Sequence, residues 1–425
     1  MGAFIGAFAG LLLIGVPIAL SLGLACVMFL WWTSNLDLLL AFPQRMIAGV
    51  DQFVLLTIPL FVLAGNLMNA GGITDRIVRF SRALVGHVPG GLSQVNIVSS
   101  MFFAGISGSA TAEASALGSV LIPAMIKEGY PPRYAAALTA VASVMGPIIP
   151  PSITMFIYGV LSGTSIAKLF IAGIVPGILI GLSLMVYAYW MAKRHRFAIA
   201  PKMPWPERLT AAREALPAVL LPLIILGGIL SGLVTPTESA AVAVLYAVLL
   251  AGLFYRTLSI AALAKALTDT ALVTAGIMFI VAMASMVAFV FSYEQVPQKI
   301  AAAMLAVSTD KVVLLLLVNL VLLVLGLFLE PLSILILTMP ILLQIVKLLQ
   351  IDLVHFGMIC VLNVVIGMIT PPVGFCLFIV SAISGVKLEQ VSLAALPMIA
   401  ICIAILMIVT FVPEVSLFLP RLFAS

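Results

Sequence analysis

Two stretches, 134–167 and 353–386, each run 34 residues without an Asp, Glu, Lys or Arg, and each is interrupted near its middle by a Pro-Pro pair. The interruptions follow one hexapeptide pattern, Gly146-Pro147-Ile148-Ile149-Pro150-Pro151 and Gly367-Met368-Ile369-Thr370-Pro371-Pro372. A continuous helix of that length would run roughly 51 Å, against a hydrocarbon core of roughly 30 Å. Proline removes a backbone donor and clashes with the preceding turn, so each stretch is expected to unwind at its centre. Unwound backbone at membrane depth is tolerated only where it lines a buried or polar cavity.

Composition agrees with a membrane setting. The chain is 64% hydrophobic and 8% charged, with a mean hydropathy of +1.32, which excludes soluble globular classes and predicts an all-α polytopic membrane protein in a lipid bilayer. The formal charge of +5 collects in a few loops, chiefly Arg76 to Arg82 and Lys193 to Arg213. This is a positive-inside signal and not a nucleic-acid surface. Cys26, Cys360, Cys376 and Cys402 lie singly in apolar runs and are read as small core residues, not disulfides or transition-metal ligands. Residues 3–30 have no basic leader or cleavage site and are read as the first membrane segment. Pro17 leaves two options there: a kink would put the N-terminus in the cytoplasm, and a break into two spans would reverse its side.

Candidate membrane segments are 3–32, 51–70, 92–126, 134–167, 168–190, 214–232, 237–254, 267–292, 312–346, 353–386 and 390–412. The 193–213 linker carries six Lys/Arg against the single acid Glu207, which places it in the cytoplasm. An internal repeat emerges upstream of the two hexapeptides. Segments 92–126 and 312–346 each contain one charge, Glu113 or Glu330, ten residues before Pro123 or Pro340. At 35 residues, each is short for two crossings of about 20 residues plus a turn and is expected to form a re-entrant hairpin. The predicted tips are 104–111 and Gly326 to Pro331, and five crossings between the units make the repeats inverted. Amphipathic stretches near 36–50, 256–266 and 295–308, with the remaining spans, are expected to form a fixed frame.

A hairpin tip facing an unwound loop offers carbonyls to a hard cation and half-helix N-termini to a carboxylate. Oxygens suited to sodium are expected from Gly105, Ser107, Ser109 and the carbonyls between Gly146 and Pro150 in the first unit. Gly326 to Glu330 and Gly367 to Thr370 supply them in the second. The competing reading is that these small residues merely allow tight helix packing. Glu113 and Glu330 are read as caps of half-helix N-termini, with a coupling role as the alternative. Glu238 in Thr235-Pro236-Thr237-Glu238 fits a capping box. Gly105-Ile106-Ser107-Gly108 could seat the nucleophile of an intramembrane serine hydrolase, but the histidine base it needs has only one membrane candidate, His355 in the other repeat. The chain is therefore read as a transporter and not an enzyme, with no P-loop and no cofactor.

The run from Gly105 to Met125, followed by Gly129-Tyr130-Pro131, Ala135 to Ala140 and Gly146 to Ser152, resembles the large membrane subunit of tripartite ATP-independent periplasmic (TRAP) transporters. The second unit agrees through Ile351-Asp352, His355-Phe356-Gly357 and Gly367 to Gly374. The resemblance implies a sodium-driven importer of C4-dicarboxylates, sialic acid or related organic acids in a bacterial inner membrane. It implies two partners, a small four-helix membrane subunit on a separate polypeptide and a soluble periplasmic binding protein, and an elevator mechanism of the ion-transporter superfamily. Carried onto this chain, it implies sodium positions at Gly105, Ser107, Gly108, Ser109, Gly146 and Pro150, and at Gly326, Gly367, Thr370, Pro371 and Gly374. Ser107, Ser109, Thr111, Ser152 and Thr154 are the expected substrate contacts. The implied organisation is N-terminal scaffold 1–91, first transport repeat 92–167, scaffold 168–308, second repeat 312–386 and a C-terminal helix in 390–425. Alternatives are a stand-alone ion-coupled carboxylate transporter and a passive channel.

Overall fold

The computed structural model describes residues 2–197, 201–296, 298, 299, 302, 303, 308 and 310–423. Those residues form helices and connections with no strand. Seven of the described helices are long and apolar enough to cross a bilayer, so the chain is a multi-pass membrane protein.

The first repeat comprises α6 (Gly91–Ser107), α7 (Ala110–Lys127), α8 (Pro132–Ala142) and α9 (Ile153–Ser162). It is preceded by α1 (Gly2–Leu13), α2 (Ile18–Trp32), α3 (Phe42–Val50), α4 (Thr57–Ala70) and α5 (Ile73–Val85). Next come α10 (Ile166–His195), α11 (Trp205–Leu230), α12 (Pro236–Leu249) and α13 (Ile260–Tyr293). The second repeat is α14 (Lys311–Gly326), α15 (Pro331–Leu349), α16 (Leu353–Gly367) and α17 (Phe375–Ser384), followed by α18 (Leu388–Phe411) and α19 (Glu414–Phe423). The first hexapeptide lies outside helix, the second does so from Met368 onward, and both half-helices after them end on a left-handed glycine, Gly163 and Gly385.

Tertiary contacts sort the helix ends onto two faces. On one, Arg79 pairs with Glu214 at 2.8 Å, Arg82 with Glu128 at 3.2 Å, and the Thr257 hydroxyl donates to the Gly71 carbonyl at 3.0 Å. On the other, Asn35 donates to Glu294 at 3.1 Å, Thr57 and Thr237 share a bond of 2.7 Å, and His355 meets Ser416 at 2.9 Å. The first face holds the basic loops expected in the cytoplasm. Helix α6 begins and α7 ends there, with Gln94 bonded to the Met185 carbonyl near the end of α10 and Glu128 to Arg82. Helix α15 ends and α16 begins at the other, where the Tyr158 hydroxyl donates to the Leu353 carbonyl.

The repeats exchange partners. The half-helix after each break packs on the second arm of the opposite hairpin, α9 on α15 and α17 on α7. Helix α10 packs on α6, α9 and α16, and α18 on α8, α16 and α17. These two spans, grouped by sequence with the frame, thus pack with the repeats, because their neighbours are the broken helices. Helices α2, α3, α4, α12 and α13 form the other assembly, in which α13 touches α2, α3 and α4.

Other boundaries differ from expectation. Pro17 breaks the first segment into α1 and α2, and Phe4 meets Phe29 and Phe291 edge-on, which puts the chain start near the Glu294 face. The 12 residues of α1 rise only about 18 Å, too short for a full span. The stretch at 256–266 is not a separate element, because α13 runs unbroken through 34 residues from a Ser259 cap. The linker 193–213 is shorter than expected, because α10 extends to His195 and α11 begins at Trp205. Much of the expected 295–308 amphipathic stretch lies outside the described residues.

Candidate functional site

The first break and the first tip are built as one unit. Helix α6 ends at Gly108, whose φ of +60° closes it with a left-handed turn, and Ser109 caps α7 by accepting from the Ala112 N–H. A Cβ on Gly108 would lie 2.7 Å from the Pro151 carbonyl oxygen, so only glycine lets the tip seat against the break. Across from it, the Ser152 side chain donates to the Pro147 carbonyl and accepts from the Met155 N–H at 3.1 Å. One hydroxyl therefore both spans the unwound loop and caps α9.

In the second unit, Gly326 and Gly367 meet backbone to backbone, with a Cβ on Gly326 placed 2.9 Å from the Gly367 Cα. Here Thr370 donates to the Ile366 carbonyl at 2.7 Å, and the Cys376 N–H closes the loop onto Met368 at 3.0 Å. The Pro150–Pro151 and Pro371–Pro372 peptides are both cis. Carbonyls of Ile148, Ile149, Pro150 and Pro151, and of Ile369, Thr370, Pro371 and Pro372, accept no hydrogen bond from the described residues. Uncommitted carbonyls clustered beside a hairpin tip are donors that fit a small hard cation.

Both units open onto one cavity of about 390 Å³. Four half-helices present their first residues to it: α7 with Ala110 and Thr111, α9 with Ile153 and Thr154, α15 with Pro331 and Leu332, and α17 with Phe375. The first N–H groups of a helix lack intrahelical acceptors and carry a partial positive charge. Convergence of four such ends makes the cavity attractive to an anion although no Lys or Arg lines it; Glu330 is its one charged lining residue among those described. Apolar residues of α13, Leu272 to Ile280, form the facing wall. A second cavity of about 350 Å³ adjoins it through Ser109, Thr111, Ile153 and Val273 and adds Ser107 and α4 residues.

The expected site residues separate by role. Gly108, Ser109, Thr111 and Thr154 line the main cavity, and Ser107 the adjoining one. Ser152 is fully buried and lines neither, its hydroxyl being spent on the Pro147 carbonyl and the α9 cap. Gly105 is covered by Pro222 of α11, and Gly146 lies under Glu113 and the Ser109 carbonyl. Gly326 and Gly367 are spent on each other, while Pro150, Thr370, Pro371 and Gly374 lie on the breaks without lining either cavity.

Capping by the two glutamates is not observed. Ser109 takes the cap of α7, so Glu113 falls in the first turn, fully buried, with both carboxylate oxygens free of hydrogen bonds. Glu330 occupies the cap position of α15 but accepts only from the Ser333 hydroxyl, at 3.3 Å. The Thr235–Glu238 capping box is present, with bonds of 2.7 and 3.3 Å. His355 bonds to Ser416, and the Ser107 hydroxyl stays within its own tip, at 3.5 Å from the Ser109 carbonyl. Missing from the sequence reading were the α13 wall and the α4 residues Asn66 and Asn69; two amides three residues apart in an uncharged span were the available signal.

Residues 5–415 match the family model described as tripartite ATP-independent periplasmic transporter, DctM component. Among curated proteins, the chain is 40% identical to the sialic acid TRAP transporter large permease protein SiaM of Vibrio cholerae, over 100% of this chain and 99% of that one. It is also 40% identical to the C4-dicarboxylate TRAP transporter large permease protein DctM of Vibrio cholerae, covering 97% and 96%. Among solved structures, the Alcanivorax borkumensis YdaH transporter shares the fold with a TM-score of 0.63 at 16% identity, over 96% of this chain and 98% of that one.

Proposed function

We propose that this chain, which belongs to the DctM component family of tripartite ATP-independent periplasmic transporters, imports a carboxylate-bearing solute coupled to sodium. It is a membrane permease and not an enzyme. The observation that carries the substrate reading is the convergence of four helix N-termini on one cavity that no Lys or Arg among the described residues lines. A carboxylate there is held by N–H groups and by the Ser109, Thr111 and Thr154 hydroxyls, without a fixed cation that would retain it too tightly to release. Sialic acid and C4-dicarboxylates, named for the relatives, are both within this chemistry.

Sodium enters through the uncommitted carbonyls of the two breaks. Each faces its own tip, so cation binding pulls tip and break together and shapes the N-termini that meet the substrate. The α6–α7 and α14–α15 pairs act as re-entrant hairpins of opposite orientation. Their arms rise about 24–29 Å, and the outer ends of α6 and α7 lie on the face opposite the α15–α16 junction. The repeats, with α10 and α18, then move as one body against the α2–α4, α12 and α13 assembly, an elevator motion in a bacterial inner membrane. A small four-helix subunit and a periplasmic binding protein complete the transporter.

Proteoliposomes holding both membrane subunits test this reading. Succinate, gluconate and sialic acid are presented with the binding protein and an inward sodium gradient. Uptake that collapses without sodium or without the binding protein is the expected result. Uptake that persists without either would overturn the coupling, and uptake without the binding protein alone would make the chain a stand-alone carrier.

A further inference from the structure

The second cavity lies toward the basic end of α4. That helix runs from Thr57, bonded to Thr237 at one face, to Ala70, beside the Gly71 carbonyl bonded to Thr257 at the other. Asn69 is its penultimate residue, and Asn66 lies one turn earlier. Both line the cavity opposite Ser107, Ser109 and Thr111.

The two amides are oriented by different bonds. Asn66 donates through Nδ2 to the Thr270 hydroxyl of α13 at 3.0 Å, which fastens α4 to the cavity wall. The Asn69 Oδ1 accepts from the Thr74 hydroxyl at 2.9 Å, which leaves the Nδ2 donors, on a residue that lines the cavity, without an acceptor among the described residues. No Lys, Arg, Asp or Glu among the described residues lines this cavity, so its free side-chain N–H donors are the two of the Asn69 amide, neither of them bonded, and the second N–H of Asn66. Asn69 stands on the helix assembly that does not carry the repeats.

We propose that this cavity is a release subsite on the fixed helix α4, where the Asn69 amide takes over the carboxylate as it leaves the N-termini of α7 and α9. The inference rests on the carboxylate reading above. A neutral amide suits such a step: it gives a departing anion a directional partner without the depth of a charge pair. The chemistry it recognises is a carboxylate or another acceptor-rich anionic group, and the site lies on the cytoplasm-directed side of the main cavity.

Asn69→Asp tests the assignment cleanly, because the acceptor used by Thr74 is kept and only the donor is exchanged for a negative charge. In the reconstituted complex, uptake of succinate, gluconate or sialic acid is expected to fall about tenfold or more through like-charge repulsion. Added choline chloride should restore part of the loss by screening, an effect that a structural defect would not show. Thr74→Val removes the orienting bond but keeps the amide and should transport far better than Asn69→Asp. Equal uptake by wild type and Asn69→Asp would overturn the proposal, as would a loss insensitive to ionic strength and matched by Thr74→Val. Failure of wild type to take up any of the three would instead remove the carboxylate reading, and this inference with it.

Discussion

Gly326, the last residue of α14, rests directly on Gly367, the last of α16, so that a Cβ on Gly367 would fall 2.5 Å from the Gly326 Cα. The second tip and the second break are therefore in backbone contact, with no side chain between them. Gly367→Ala forces that contact open. Overpacking of this kind costs about 1–3 kcal/mol. The variant should reach the membrane, melt at a lower temperature in detergent, and lose most sodium-driven uptake. Normal uptake would mean that the contact is incidental.

Ser152 and Thr154 are two residues apart and do different work. Loss of the cap and of the bond to Pro147 in Ser152→Ala should destabilise the protein by about 1–2 kcal/mol, with little change in carboxylate affinity. Thr154→Val keeps the shape but removes a hydroxyl that lines the cavity, so it should raise the half-saturating substrate concentration several-fold and leave the melting temperature nearly unchanged. Thermal unfolding and uptake kinetics on the same preparations separate the two. A reversed pattern would exchange their roles.

These contrasts show what a linear sequence reveals of such a fold. Proline has a local, obligatory effect on helix continuity, so Pro150-Pro151 and Pro371-Pro372 announced both breaks, and the Gly-Ser run announced the first tip. The Thr235 capping box was legible for the same local reason. Glu113 falls in the first turn after the Ser109/Thr111 tip, as its sequence position implied, but the capping bond is made by Ser109, because a cap oxygen must sit just before the helix begins. The α13 wall carried no mark at all. A uniformly apolar helix facing lipid, frame or substrate has the same composition, and only tertiary packing selects Leu272 to Ile280 for the cavity.

Behind the second unit, a buried relay joins three helices. Asn363 of α16 donates to Asn319 of α14 at 2.8 Å, and Asn319 donates to Thr410 of α18 at 3.0 Å. All three residues are buried. Asn363→Leu strips the donor from the Asn319 oxygen, and an unsatisfied buried acceptor costs about 1–3 kcal/mol. A lowered melting temperature is expected, and adding Asn319→Leu should cost less than the sum of the two single changes, since the orphaned partner is removed with it. Strict additivity would show that the relay does not act as a unit.

The positive character of the main cavity can be read without knowing its natural ligand. Gly276 lies on the α13 wall with open space where a Cβ would stand, and all four native cysteines are buried. Gly276→Cys therefore introduces one reactive thiol into the cavity against a silent background. Four helix N-termini, with no Lys or Arg among the described lining residues, predict that an anionic methanethiosulfonate modifies it faster than a cationic reagent of similar size, by about three-fold or more at low ionic strength. The preference should shrink as salt is raised, and a carboxylate that occupies the cavity should slow both reagents. Faster reaction with the cation would show that Glu330, and not the helix ends, sets the field in the cavity.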